Sequence, residues 1–457
     1  MIPRHIFREY DIRGLHATEL TDEVGEAVGR AFATLLAAEG GLRIALGEDV
    51  RPSSERLAAA VERGLVAAGA SVERVGVVPT PALYFAVASR GLDGGLQVTG
   101  SHNPSEFNGF KLTARKRPIF GPDIQAMRAG IERGALRSAP GGSSRPAPVL
   151  DEYRAMLVER LSSPRGLRVV MDCGNGCAGT VVPEVFERMG HRVTPLYAEL
   201  DGSFPHHLPD PTVPGLMQDL SAAVREQRAD FGIGFDGDAD RIGAVDAAGK
   251  LVFGDQLLAL LARDVLSRVP GGEIIFDVKC SQGLIEDIAA HGGRPSMWKT
   301  GHSLIKSRLL ETGAPLAGEM SGHMFFNEGY FGFDDALFAA GRLLRFVAAS
   351  GKDFASLVDS IPHYFSTPET RLDCPEELKF QVPEELKRQF AGRYRVIDID
   401  GARVEFGDGW GLVRASNTQS VVVVRFEARS PERLEEIRRM MMEPLRRLGV
   451  GEAAVGH

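Results

Sequence analysis

The chain has 457 residues, 44% of them hydrophobic and 25% charged, with a formal net charge of −8; its length predicts three or four domains, each able to bury a core. The acidic balance, with no face-wide basic run, argues against general nucleic-acid binding. Four cysteines in so long a chain make no disulfide framework, and Cys173 and Cys177 lack a second pair at zinc-ligand spacing, so all four read as reduced thiols in a cytoplasmic protein.

In chain order, the opening residues lack the apolar core of a signal peptide, and the apolar run at 257–262 has the length of a buried helix segment, so no membrane span is expected. His5-Ile-Phe-Arg-Glu-Tyr-Asp-Ile-Arg-Gly14 is short, polar and aromatic. Tyr10 and Arg13 could reach a ligand from it, although a lone early arginine is more often a surface charge. Thr21 can cap a helix before Val24, Ala27, Val28 and Phe32. A strand at 42–47, a helix at 55–68, a strand at 71–78 and a helix after Pro81 then alternate as in a parallel sheet with helical crossovers. Residues 94–98 read as a short buried strand leading into Thr99-Gly-Ser-His-Asn-Pro104. Ser101 therefore lies where the carboxyl end of a strand meets a loop, a common place for α/β active sites. An ordinary polar turn is the plain alternative; a glycosylation site is excluded because proline follows Asn103. Asn108-Gly109 predicts a turn, followed by Lys111, which can point back to the serine loop.

Residues 139–148 are rich in glycine, proline and serine and predict a linker at the first domain boundary. The next strand, 167–171, runs into a glycine-dense loop before a helix at 183–189. Gly174, Gly176 and Gly179 satisfy Gly-x-Gly-x-x-Gly, and Tyr197-Ala-Glu199 falls where a ribose-binding acid would follow, so dinucleotide binding stays open on spacing. Strands at 229–235 and 242–246 enclose Asp236-Gly-Asp-Ala-Asp-Arg241. In an extended segment Asp236, Asp238 and Asp240 would point the same way and repel one another unless a cation sat among them. A hard divalent ion with oxygen ligands resolves that conflict. An EF-hand is excluded, since Arg241 and Ala247 stand where glycine and glutamate are required; a solvated acidic turn is the bland reading.

From 255 the pattern restarts with a helix to 269, a strand at 273–278 ending at Lys279, and a helix from Ser281. Trp298-Lys-Thr-Gly-His302 reads as a basic turn. Gly318-Glu-Met-Ser-Gly-His323 offers a carboxylate, a hydroxyl and an imidazole that suit a polyol, or else a capped helix end or hairpin. Past Ser350, strands at 394–399 and 421–426 and an amphipathic helix at 431–448 fit a smaller α+β domain. Its loop Arg414-Ala-Ser-Asn-Thr418 clusters donors suited to a phosphate.

A serine in a turn, a metal cage, a polyol reader and a phosphate clamp together specify phosphoryl transfer on a sugar phosphate. These four loops, in this order, resemble the signature loops of the α-D-phosphohexomutases. The resemblance runs over essentially the whole chain from Arg8-Glu-Tyr-Asp-Ile-Arg-Gly14, and Met320, where phosphoglucosamine mutases carry glutamine, puts it nearest the phosphomannomutase/phosphoglucomutase members. It implies three related α/β domains with mixed sheets (1–147, 148–250 and 251–365) and a smaller α+β domain (366–457) around a central cleft. The implied activity interconverts hexose 1-phosphate and 6-phosphate, of mannose, glucose or both, through a phosphoserine and a hexose 1,6-bisphosphate.

Carried over residue by residue, the resemblance makes Ser101 the phosphoserine, with Asp236, Asp238 and Asp240 holding Mg²⁺ against it. Lys111 and His323 become the acid/base groups. Glu319 and Ser321 read adjacent sugar hydroxyls, Arg414, Ser416, Asn417 and Thr418 clamp the phosphate that is not reacting, and Tyr10, Arg13, Arg241, Lys279 and His302 line the cleft. Glucose or mannose 1,6-bisphosphate is expected as activator and small-molecule hexose phosphates as partners, with no nucleic acid, no membrane and a monomer or weak dimer. Because the bisphosphate must turn over between half-reactions, the last domain is expected to move as a rigid body. The alternatives are a phosphoglucosamine mutase, a haloacid-dehalogenase-like phosphatase using Asp236 as nucleophile, and a non-catalytic sugar-phosphate-binding protein.

Overall fold

The first sheet of the computed structural model, which describes residues 2–115, 117–416 and 420–450, is built around a parallel core. Its order is Ile12–Leu15, Phe107–Ala114, Gly94–Val98, Arg43–Glu48, Ser71–Val77 and Ser143–Pro146. Gly94–Val98 and the three strands after it in that order run parallel, as strand-helix alternation requires, and Phe107–Ala114 returns antiparallel. Two local readings give way here. Ser143–Pro146, inside the segment whose composition predicts a linker, is an exposed edge strand on Ser71–Val77, a place where proline is tolerated because one side needs no ladder partner. Asn108 and Gly109 form no turn; they pair with Gly14 and Arg13 within Phe107–Ala114. Gly109 allows the two backbones to close up, since a Cβ there would lie 2.4 Å from the Ile12 carbonyl oxygen.

The second sheet runs Leu251–Val252, Ile242–Asp246, Phe231–Phe235, Arg168–Asp172, Arg192–Leu196, and the third Arg294–Trp298, Glu273–Asp277, Leu316–Gly318, Met324–Phe326. All three sheets share one device: the last parallel strand turns back into an antiparallel neighbour. The three connections hold residues 99–106, 236–241 and 319–323. The fourth sheet is antiparallel throughout, and its hairpin from Gly409–Ala415 to Val421–Ala428 carries the fourth loop. The four loops marked out in the sequence are therefore all hairpin connections.

Helix Asp22–Ala38 starts where Thr21 Oγ accepts from Val24 N. Thr80–Ser89 is apolar on all sides, with Ala82, Leu83, Tyr84, Phe85, Ala86 and Val87 all buried. A helix of that pattern must be enclosed, and it is, within one hydrophobic cluster that also takes in the second and third units. Tyr153 OH, from helix Leu150–Leu161, donates to the buried Asp335 carboxylate and ties the second unit to the third. The fourth unit keeps its own core around Leu386, Phe426, Ile437 and Met441. Cys173, Cys177, Cys280 and Cys374 are unpaired and buried. Among the described residues no helix is long and apolar enough to cross a membrane.

Candidate active site

Beyond the buried strand Gly94–Val98 the backbone turns at Ser101, whose φ of +50° is left-handed and costs a non-glycine residue about 1 kcal/mol. The turn is held from two sides. Thr99 Oγ1 accepts from Ser101 N at 2.9 Å, and the Arg51 guanidinium donates to the carbonyl oxygens of Ser101 (2.9 Å), Asn103 (2.5 Å), Pro104 (2.6 Å) and Phe107 (3.0 Å). Arg51 Nε also donates to Asp49, which accepts from Gly100 N at 3.1 Å. Asp49 and Arg51 are both buried. Sequence reasoning passes over them, because the only local signal is an Asp-x-Arg just after a strand.

Ser101 Oγ donates to Asp236 Oδ2 at 2.8 Å and lies 3.2 Å from His102 Nδ1. The acidic loop is not extended, as the alternation of its aspartates suggests; it is a turn with Ala239 at φ +59° and Ala239 N bonded to Asp236 O. The carboxylates converge all the same. One oxygen from each of Asp236, Asp238 and Asp240 lies within 4.8 Å of the others, and all three residues are fully buried. Lys111 Nζ reaches Asp238 Oδ2 at 2.6 Å and also pairs with Asp240, while Thr80 Oγ1, at the head of the enclosed helix, donates to Asp238 Oδ2 at 2.5 Å. Burial and the neighbouring Asp240 and Asp238 charges push the Asp236 pKa up; burial acts the same way on Asp240, but Lys111 and His323 outweigh it and hold that pKa down. Among the described residues Asp238 Oδ1 has no hydrogen-bond partner, and Asp240 Oδ1 has only the long 3.4 Å contact with His323 Nε2. Buried, oxygen-only and with acceptors to spare, the cluster fits a hard divalent cation.

The glycine-dense loop after Arg168–Asp172 is spent on the protein itself. A Cβ on Gly176 would fall 2.6 Å from the Gly237 carbonyl oxygen, and one on Gly179 2.1 Å from that of Ala198. Cys177 N donates to Gly237 O at 2.9 Å, so the close approach a pyrophosphate would need is taken by the backbone of the acidic loop.

The loop of residues 318–323 is joined to the acidic one by an antiparallel backbone bridge between Arg241 and His323. His323 Nε2 lies 3.4 Å from Asp240 and 3.3 Å from Arg241 Nε, and its Nδ1 lies 3.0 Å from Glu319 and 3.1 Å from Ser321 Oγ. Burial opposes charge on this imidazole, yet the carboxylates of Asp240 and Glu319 prevail and its pKa rises to about 9. His302 stacks on it with ring centroids 5.4 Å apart. Instead of closing a turn, His302 opens the helix His302–Thr312, and its Nδ1 is 3.3 Å from Asp334, a carboxylate that sequence reasoning also misses.

A chain of contacts continues to the fourth unit. Glu319 accepts from Gly301 N at 2.7 Å, Thr300 O accepts from Tyr10 OH at 3.0 Å, Thr300 N donates to Asp400 at 3.1 Å, and Asp400 accepts from Arg414 Nε at 3.0 Å. Lys279 Nζ donates to Glu369 at 3.0 Å, and that lysine draws the Glu369 pKa down to about 2. Arg13 pairs with Asp11 on the strand beside the serine loop. Ser416 is buried next to Arg414, whereas Asn417 and Thr418 lie outside the described residues. Met320 is turned toward the fourth sheet, its Sδ accepting from Arg425 at 3.0 Å.

Compared with known proteins, the chain matches four family models in order: phosphoglucomutase/phosphomannomutase alpha/beta/alpha domain I at residues 4–137, domain II at 151–249, domain III at 253–365 and the C-terminal domain at 369–443. It is 45% identical to a phosphomannomutase/phosphoglucomutase of Pseudomonas aeruginosa over 97% of this chain and 96% of that protein. It is 44% identical to a phosphoglucomutase of Neisseria gonorrhoeae over 95% of each. The crystal structure of a phosphoglucomutase/phosphomannomutase family protein from Burkholderia thailandensis, 41% identical, covers 99% of both chains with a TM-score of 0.94.

Proposed function

Because the chain belongs to the phosphoglucomutase/phosphomannomutase family, it is a phosphohexomutase, and we propose that Ser101 is the residue through which it moves the phosphoryl group. The enzyme is an isomerase that interconverts hexose 1-phosphate and hexose 6-phosphate, of mannose, glucose or both, by way of a phosphoserine and a hexose 1,6-bisphosphate. The observation that carries the assignment of Ser101 is its 2.8 Å bond to Asp236, which sets a hydroxyl against three buried carboxylates.

Phosphorylated Ser101 with Asp236, Asp238 and Asp240 would hold Mg²⁺, which when bound offsets the charge that builds on the transferring group. The other roles belong to side chains. Arg51 and Thr99 fix the angle at which Ser101 leaves its strand, so the nucleophile is oriented before substrate arrives. Lys111 brings a buried ammonium to the transfer site, with Arg241 beside it. His323, within reach of Asp240, Glu319 and Ser321, gives and takes the proton of the reacting sugar hydroxyl. Glu319 and Ser321 read two sugar hydroxyls. Arg414, Ser416, Asn417 and Thr418 clamp the phosphate that is not reacting, while Lys279, Arg13, Tyr10 and His302 line the space between. One site must present either end of the sugar to Ser101, and a clamp on a separate unit allows the sugar to turn over without leaving.

Met320 supports glucose and mannose phosphates over the glucosamine substrate. A phosphatase with Asp236 as nucleophile is disfavoured, since Asp236 Oδ1 already accepts from Asp240 N and Arg241 N and Oδ2 from Ser101. The same reading includes glucose or mannose 1,6-bisphosphate as activator, a cytoplasmic monomer or weak dimer, and domain boundaries at 147/148, 250/251 and 365/366. The test is intact mass before and after glucose 1,6-bisphosphate with Mg²⁺, beside Ser101→Ala. Gain of one phosphoryl group by the wild type alone is expected; no gain, with phosphate released from the sugar, would favour the phosphatase.

A further inference from the structure

Asp334 and Asp335 stand together between the third sheet and helix Ala336–Ser350, and only one of them is spent on the fold. The Asp335 carboxylate accepts from Tyr153 OH, Tyr330 OH and Phe338 N. Asp334 is equally buried, yet neither of its carboxylate oxygens has a well-formed hydrogen bond among the described residues. A buried carboxylate left in that state needs a reason. Its backbone is held in place by a bridge to Phe325 and by the bond from Asp335 N to Met324 O at 3.2 Å.

Among the described residues its one ion-pair partner is His302, whose Nδ1 lies 3.3 Å from Asp334 Oδ2. Lys306, one turn further along helix His302–Thr312, lies over the rings of Tyr84 (4.4 Å) and Phe333 (5.9 Å) and is paired with no described carboxylate. Burial alone would raise the Asp334 pKa, and Asp240 adds to that, but His302 and Lys306 prevail and hold it below the usual carboxylate range. Asp334 is therefore an anion placed behind an imidazole. The His302 side chain is 17% exposed, against 1% for that of Asp334, so the ring and not the carboxylate meets the cleft.

His302 has no other firm polar anchor. Its Nε2 is 3.4 Å from Ser303 Oγ, beyond the ordinary range of such bonds. Tyr10 packs edge-on against the ring at 5.9 Å, and His323 lies nearly parallel to it, at 21° and 5.4 Å. Ring packing sets the plane of an imidazole. Which nitrogen carries the proton is set by the hydrogen bond that the other atoms allow, and here only Nδ1 faces an anion.

We propose that Asp334 is a positioning residue for phosphoryl transfer: its carboxylate keeps the proton of His302 on Nδ1 and leaves Nε2 as an acceptor for a sugar hydroxyl in the cleft. The hydroxyl partner rests on the mutase reading; the placement of the proton does not. Asp334 acts through His302, as a buried aspartate does when it fixes the tautomer of a catalytic histidine.

The test combines a spectrum with a mutant cycle. Long-range proton–nitrogen correlation spectra of the full chain carrying isotope-labelled histidine, at about pH 8 and without substrate, report the protonated nitrogen, and His302→Gln assigns the signal. A neutral ring protonated on Nδ1 is expected in wild type, and loss of that preference in Asp334→Ala. Protonation on Nε2 or on both nitrogens in wild type, or an unchanged tautomer in Asp334→Ala, overturns the proposal. In turnover of hexose phosphate, Asp334→Ala is expected to lower kcat/KM about tenfold or more, and Asp334→Ala/His302→Gln to stay within about twofold of His302→Gln alone. Losses that multiply would make Asp334 a support of the fold and overturn its action through His302. No turnover by wild type would overturn the mutase reading and with it the sugar partner, whereas the spectrum judges Asp334 by itself.

Discussion

Gly322 leaves no room for a side chain against Ile242: a Cβ there would fall 2.3 Å from the Ile242 carbonyl oxygen, and its φ is +91°. Ile242 N donates to Gly322 O at 3.1 Å. This contact seats the hairpin carrying Glu319, Ser321 and His323 on the one carrying the three aspartates. Gly322→Ala must move one of them or strain the turn, so turnover should fall about tenfold or more with a stability loss of about 2 kcal/mol. A coupled turnover assay and urea unfolding check both; normal turnover in the alanine variant would show that the spacing of the hairpins is not critical.

Arg51 touches four carbonyl oxygens of the serine loop and Asp49. Arg51→Lys keeps the charge and loses the fork. Because Arg51 faces the loop and not the cleft, kcat is expected to fall about tenfold or more with little change in KM, and phosphate uptake at Ser101 should slow in parallel. A rise in KM at constant kcat would assign Arg51 to substrate binding instead.

His191 is buried, its Nδ1 accepting from Leu167 N at 3.3 Å and its Nε2 without a hydrogen-bond partner among the described residues. Burial pushes its pKa down from 6.5 to about 4. A base with a depressed folded pKa takes up its proton more readily when unfolded. Its stabilising contribution is therefore complete above about pH 6.5 and is lost as pH falls toward 4, up to about 3 kcal/mol. Urea unfolding of wild type and His191→Gln between about pH 7 and 4.5 should show a gap that narrows with acid; parallel curves would mean that His191 does not titrate there.

The fourth unit, with a core of its own, meets the third through an apolar cluster of Val278, Trp410 and Leu412 and through polar contacts that include two arginines. Arg403 donates to Val278 O and Cys280 O at 2.8 Å, and Arg425 to Lys279 O. Structures with and without hexose phosphate, superposed on the first three units, are expected to show Arg414 displaced relative to Ser101 while the fourth sheet is internally unchanged. If Arg414 stays in place, the turnover of the bisphosphate needs another explanation.

Much of the site is legible in the sequence because its chemistry is local. Ser101, the three aspartates, the Glu319 to His323 group and Arg414 each sit within a few residues of a strand end, where loop chemistry and strand pattern can be read together. Local reading failed where pairing overrode it. Asn108-Gly109 has turn propensity but is held in a strand by Arg13 and Gly14, and Ser143–Pro146 has linker composition but finds an open sheet edge. Asp49, Arg51 and Asp334 gave no signal because their partners lie far off in the chain; Arg51 and Ser101 are 50 residues apart. By itself the sequence determined the order of the elements and the donor set of each loop, since side-chain periodicity and turn chemistry are properties of short segments. Only the tertiary structure decided that the Ser101 hydroxyl meets Asp236, 135 residues away, because a hydrogen bond needs placement to a few tenths of an ångström. That placement comes from packing sheets around a shared helix.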